Sequence, residues 1–77
     1  MNKERRNELN GLIDQLDEIY QSLDDLKAEE EEYRDNIPEN LQSSERCEES
    51  DSACDALESA MDSIQETTDN ISSAIGE

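Results

Sequence analysis

A single proline, Pro38, divides this chain into two stretches, and each carries apolar residues at alternating steps of three and four. Such steps are the period of a helix that buries one stripe, whereas a half-buried strand would alternate at every second residue. In the first stretch the series runs Leu9, Leu12, Leu16, Ile19, Leu23, Leu26, Glu30, Tyr33 and Ile37. Written as a heptad, it puts Leu9, Leu16, Leu23 and Ile37 at position a and Leu12, Ile19, Leu26 and Tyr33 at position d. Glu30 breaks the seam once, and Ile13 and Tyr20 widen it at position e. Gly11 falls on the outer face, where glycine costs about 1 kcal/mol relative to alanine. The spacing predicts a first helix from Asn2 or Lys3 to about Asp35.

Proline disfavours helix for the residue before it and suits the first turn of a new one. Residues 36–43 therefore read as a tight connection with one helical turn at Pro38 to Leu41. Asn36 is suited to end the first helix, and Ser43 or Ser44 to cap the second. From residue 44 to 75 a second seam appears: Cys47, Ser50, Cys54, Leu57, Met61, Ile64, Thr68, Ile71 and Ile75. Gly76 follows it as a helix stop. Two helices of similar length, each about 45–50 Å at 1.5 Å per residue, joined by a short link, become antiparallel neighbours. The expected fold is all-α: one antiparallel, coiled-coil-like two-helix hairpin filling a single domain.

A hairpin of 77 residues hides a smaller share of its surface than a mid-sized domain does. Burial of a further face against a second copy or another protein is expected. The flanks of the seams point the same way. In an antiparallel pair e faces e and g faces g. The first helix widens its stripe at e (Ile13, Tyr20), while the second carries a row of small residues at g: Ala53, Ala60, Thr67 and Ala74. These extensions are expected on opposite flanks, so folding the hairpin cannot cover both. Ile13, Tyr20, Ala53, Ala60 and Ala74 are thus the candidate oligomer flank, covered in a dimeric four-helix bundle or by a partner's helix.

Charge narrows the partners. With 23 acidic residues against 6 basic ones the formal net charge is −17, which disfavours direct nucleic-acid binding and docking on anionic membranes. Proteins with a basic surface are the natural partners, although acidity also serves solubility alone. After Arg46 the second helix has no basic residue, and its acids Glu48, Asp51, Asp55, Glu58, Asp62, Glu66 and Asp69 step by three or four. With Glu45 and Glu49 they form eight acidic pairs at i,i+3 or i,i+4, costing about 2–4 kcal/mol at roughly 0.2–0.5 kcal/mol each. A stripe kept at that cost is a candidate for meeting positive charge. Over a hairpin about 50 Å long, −17 is about one charge per 3 Å, close to the 3.4 Å spacing on a nucleic-acid strand. Glu29 to Glu32 crowd the end of the first helix, where the helix dipole disfavours negative charge. Lys3, Arg5 and Arg6 are expected beside the second helix's C-terminus, where positive charge is favoured.

Chemistry is sparse. There is no histidine to activate a serine or cysteine nucleophile, and the acids fall on helix exteriors where nothing splits their pKa values. Cys47 and Cys54 are seven residues apart, about 10 Å along a helix, too far for a disulfide and too few for zinc. Reduced thiols used as small apolar residues are expected; under oxidation a bond between subunits stays open. No catalytic residue, metal site or cofactor is expected. No apolar run is long enough to span a bilayer, and no apolar segment follows the basic N-terminus, so cytoplasmic residence is expected.

The connecting segment, Asn36-Ile37-Pro38-Glu39-Asn40-Leu41-Gln42-Ser43-Ser44-Glu45-Arg46, resembles an N-x-P-E-N-L-Q-x-S-E-R-like element. That element joins two amphipathic helices in small, acidic, uncharacterised helical proteins of Gram-positive bacteria and their phages. The resemblance implies a helical hairpin of mobile-element origin working in a bacterial host, and implies no activity. It makes Pro38, Glu39, Asn40, Leu41, Ser44, Glu45 and Arg46 candidates for a shared role in partner binding, beside their role in fixing the turn. Three functional readings remain: a non-catalytic homodimeric module binding a host protein, an acidic nucleic-acid mimic inhibiting a DNA- or RNA-binding defence protein, and a purely structural coiled coil.

Overall fold

In a computed structural model, which describes residues 1–41 and 45–76, the chain is a pair of long helices packed along their length. Helix α1 spans Lys3–Asp35 and helix α2 spans Glu45–Ile75. One 3-10 turn, Glu39–Leu41, lies between them, and no strand occurs among the described residues. The molecule measures 60 × 15 × 14 Å.

The ends of the helices follow from local chemistry. Asn2 holds an extended backbone and its Oδ1 accepts the Arg5 amide at 2.8 Å, satisfying one of the free N–H groups that open a helix. At the other end the Asn36 amide is shared between the Glu32 and Tyr33 carbonyls at 3.1 and 3.2 Å, and the Ile37 amide reaches Arg34. That tightened last turn tucks Ile37 inside, 6 % exposed, just ahead of the proline that cannot continue the helix. Gly76 ends α2 with φ +91°, a left-handed conformation favoured by glycine, and its amide returns to the Ser73 carbonyl. Ser43 and Ser44, expected to cap α2, lie outside the described residues.

Cross-helix contacts define the register. Ser50 meets Glu30, Asp51 meets Arg34, and Glu58 lies within electrostatic reach of Lys27. One number rises as the other falls, so the helices run antiparallel. On α2 the inward row is the expected one, with Cys47, Ser50, Met61 and Ile75 buried and Cys54, Leu57, Ile64, Thr68 and Ile71 half-buried.

Helix α1 is rotated from the expected register. Its inward row is Leu9, Ile13, Leu16, Tyr20, Leu23, Lys27, Glu30 and Arg34, all half-buried, leading to Ile37. These are positions a and e. The residues expected at d instead stand out: Leu12, Ile19, Leu26 and Tyr33 are 46, 50, 54 and 47 % exposed. The cause is visible at position e, where Lys27 and Arg34 continue the line of Ile13 and Tyr20. Turning α1 toward e brings those cations to Asp51 and Glu58 on α2, and carries Ile13 and Tyr20 into the seam with them.

Gly11 meets no such demand, since a Cβ built there has no atom within 4 Å outside its own helix backbone. Gly11→Ala should therefore stabilise the hairpin by about 0.5–1 kcal/mol. Its Tm is expected to rise by about 2–8 °C, measured by circular dichroism at 222 nm.

Candidate functional site

The rotation of α1 gives the hairpin two unlike sides. On one side the e positions of both helices meet, and this side is ionic. The Arg34 guanidinium donates to the Asp51 carboxylate through Nε and, at 3.4 Å, through Nη2. The hydrogen bond to Asp51, and then its charge, raise the Arg34 pKa above its already high ordinary value. Lys27 is raised likewise, chiefly by its hydrogen bond and 3.2 Å ion pair with Glu31 one turn on. Glu48, Asp51, Asp55, Glu58, Asp62, Glu66 and Asp69 are all exposed on or beyond this side. In heptad terms they occupy positions b, e and f. The stripe is thus a solvent-facing ridge of carboxylates in which only Asp51 pairs with a cation of α1.

On the opposite side the d position of α1 adjoins the g position of α2. A shallow, open, mainly apolar groove runs there, lined by Leu26, Glu29, Glu30, Tyr33, Ala53 and Leu57. Ala60 continues the wall half-buried, and Ala74 is exposed beyond it. Of the five residues expected as the oligomer flank, Ile13 and Tyr20 are therefore corrected: they belong to the hairpin's own seam. Their place outside is taken by Leu12, Ile19, Leu26 and Tyr33. A second correction follows, because the uncovered rows of α1 and α2 lie on the same side of the hairpin and not on opposite flanks. The signal that could have shown this was the chemistry of α1's e row, where Lys27 and Arg34 continue the line of Ile13 and Tyr20 and match Asp51 and Glu58 at e on α2.

Beneath the groove lies one polar contact in the seam. Ser50, 2 % exposed, donates its hydroxyl to Glu30 Oε1 at 2.9 Å, with the Glu30 carbonyl 3.5 Å away. The break in the heptad is thereby matched by a buried serine opposite it. Glu30→Leu should convert this layer to apolar packing while leaving Ser50 the carbonyl as acceptor. We expect a Tm higher by about 5 °C, and a lower Tm would show that the Ser50–Glu30 bond outweighs apolar burial.

The turn candidates are scattered by comparison. Pro38, Glu39 and Asn40 are exposed around the 3-10 turn that ends at Leu41, and Glu45 and Arg46 are exposed on the first turn of α2. Ser44 lies outside the described residues. Both cysteines are free; Cys47 is buried, and the Cys54 thiol is pushed up chiefly by burial and then by Glu31 and Glu30. The raised Cys54 thiol is not primed as a nucleophile. At the N-terminus the Arg6 guanidinium folds back on the Met1 carbonyl at 2.8 Å. Among the described residues no group of acids or thiols is placed to hold a metal, and no helix is long and apolar enough to cross a membrane. Compared with family models, with curated proteins and with solved structures, the chain matches none.

Proposed function

We propose that this protein is a non-catalytic protein-binding module whose carboxylate ridge engages the basic surface of another protein. The supporting observation is the segregation of charge: beyond Glu49, every acid of α2 lies at b, e or f, and none at g or c. A charge placed for solubility alone has no need to avoid one side. In this reading the hairpin works as a dimer, a four-helix bundle that displays its acids outward. Together with the resemblance of the connecting segment, the reading extends to a phage- or prophage-encoded protein acting on a host protein in the bacterial cytoplasm.

The second reading, a decoy for a nucleic-acid site, is favoured by dimensions. Seventeen net negative charges along 60 Å come to about one per 3.5 Å, against 3.4 Å along a nucleic-acid strand. One experiment addresses both. Immobilised protein should retain a basic protein from bacterial extract at 0.1 M NaCl and release it by 0.5 M. The variant Asp55→Asn/Glu58→Gln/Asp62→Asn should retain none. Displacement of the partner by a DNA oligonucleotide selects the decoy, and equal retention by wild type and variant refutes both readings.

A further inference from the structure

We infer that the less acidic side of the hairpin, the ridge Leu12, Ile19, Leu26 and Tyr33 with the adjoining small-residue row of α2, is the surface on which a second copy of this chain docks. The inference rests on the dimeric reading above and gives it an interface; the carboxylate ridge plays no part in it. Four large apolar side chains, each about half exposed and one heptad apart, form a row on one helix face, and Leu26 and Tyr33 share the apolar groove. Scattered apolar residues are ordinary on a surface, but a contiguous line marks an interaction site.

Two observations choose the occupant. The first is charge. Around the ridge, the g row of α1 between Glu8 and Glu29 holds only Gln15 and Ser22. After Glu49, the g and c rows of α2 hold alanine, serine, threonine and asparagine. The acids on this side stand at its ends, Glu29 and Glu49 near the turn and Glu8 far from it, so on a chain of net charge −17 a like-charged copy meets fewer acids here than across the carboxylate ridge, to which a basic protein is drawn. The second is length. The row from Leu12 to Tyr33 spans 21 residues, about 32 Å at 1.5 Å per residue, and a second hairpin 60 Å long laid lengthwise covers it from end to end.

Shape sets the arrangement. A two-fold axis parallel to the helices lays the large row of each copy over the small row of the other, with Leu26 and Tyr33 beside the partner's Ala53 and Ala60. Every neighbouring helix pair is then antiparallel, as in an up-down-up-down bundle, and each contact occurs twice.

The test is absolute mass by light scattering at 50 µM chain in reducing buffer with 0.15 M NaCl. Wild type should appear at twice the 8.8 kDa chain mass. Ile19→Glu/Leu26→Glu should appear at the chain mass. Because that variant could also lose helix, Ser22→Glu/Ala56→Glu, both exposed and outside the hairpin's seam, should weaken the dimer at least tenfold with its helical signal at 222 nm retained. Gln21→Glu/Ser52→Glu, exposed at the f positions, should remain dimeric. Wild type at the chain mass overturns both the inference and the dimeric reading, leaving the side to a helix of another protein. A wild-type dimer that survives Ser22→Glu/Ala56→Glu overturns the inference alone. Neither outcome touches retention of a basic partner, which is read separately.

Discussion

Met61→Asp is expected to abolish the hairpin. Met61 lies in the middle of α2, 6 % exposed, and is with Ile75 one of the two large side chains among the buried residues of that helix. An aspartate there must either bury a charge with no cation placed to receive it or tear the seam open to reach water. Breaking the packing by an uncompensated buried charge costs about 3–5 kcal/mol. It would also stand three residues from Glu58, adding a like-charge pair to a helix already rich in them. A domain of this size has about 4–12 kcal/mol in all, and a two-helix hairpin sits near the lower end, so most of the helical signal at 222 nm should be gone at 25 °C. Met61→Leu, similar in volume and apolar, should stay within a few degrees of the wild-type Tm. If Met61→Asp still melts cooperatively near the wild-type temperature, the seam is not where the structure puts it.

Salt should move stability nearly as far, in the other direction. The eight acidic pairs along α2 repel across one helical turn, and Arg46, on the first turn, is the one basic residue of that helix. Raising NaCl from 0.01 to 1 M shortens the screening length from about 30 to 3 Å. It should recover most of the roughly 2–4 kcal/mol those pairs cost. For a domain this small that corresponds to a Tm higher by about 10–20 °C. The same salt weakens the partly exposed Arg34–Asp51 and Lys27–Glu31 pairs, but these are few against 23 acids. A Tm that stays flat or falls with NaCl at constant protein concentration would show that the ion pairs outweigh the repulsion. The prediction bears on function too: salt that tightens the fold should loosen a basic partner.

Much of the architecture is legible in the chain because its causes are local. Steps of three and four mark two helices, Asn2 caps the first, Pro38 bars it from continuing, and Gly76 takes the positive φ that ends the second. The 3-10 turn at Glu39–Leu41 follows from the same proline. The acidic ridge is equally a property of sequence, since a helix leaves no choice about which acids align. What the period cannot specify is how far each helix turns about its own axis. The apolar stripe of α1 spans d, a and e, wider than a partner helix covers, so either edge could be left in water. The choice was made across the hairpin, where Lys27 and Arg34 at e face the acids of α2 and draw that edge inward by about 50°, half of one residue's step around the helix. The sequence by itself determined two helices, their turn and the side that carries the carboxylates. Only the tertiary structure decided that Leu12, Ile19, Leu26 and Tyr33 face water, because rotation about a helix axis is settled by the pairing of two surfaces.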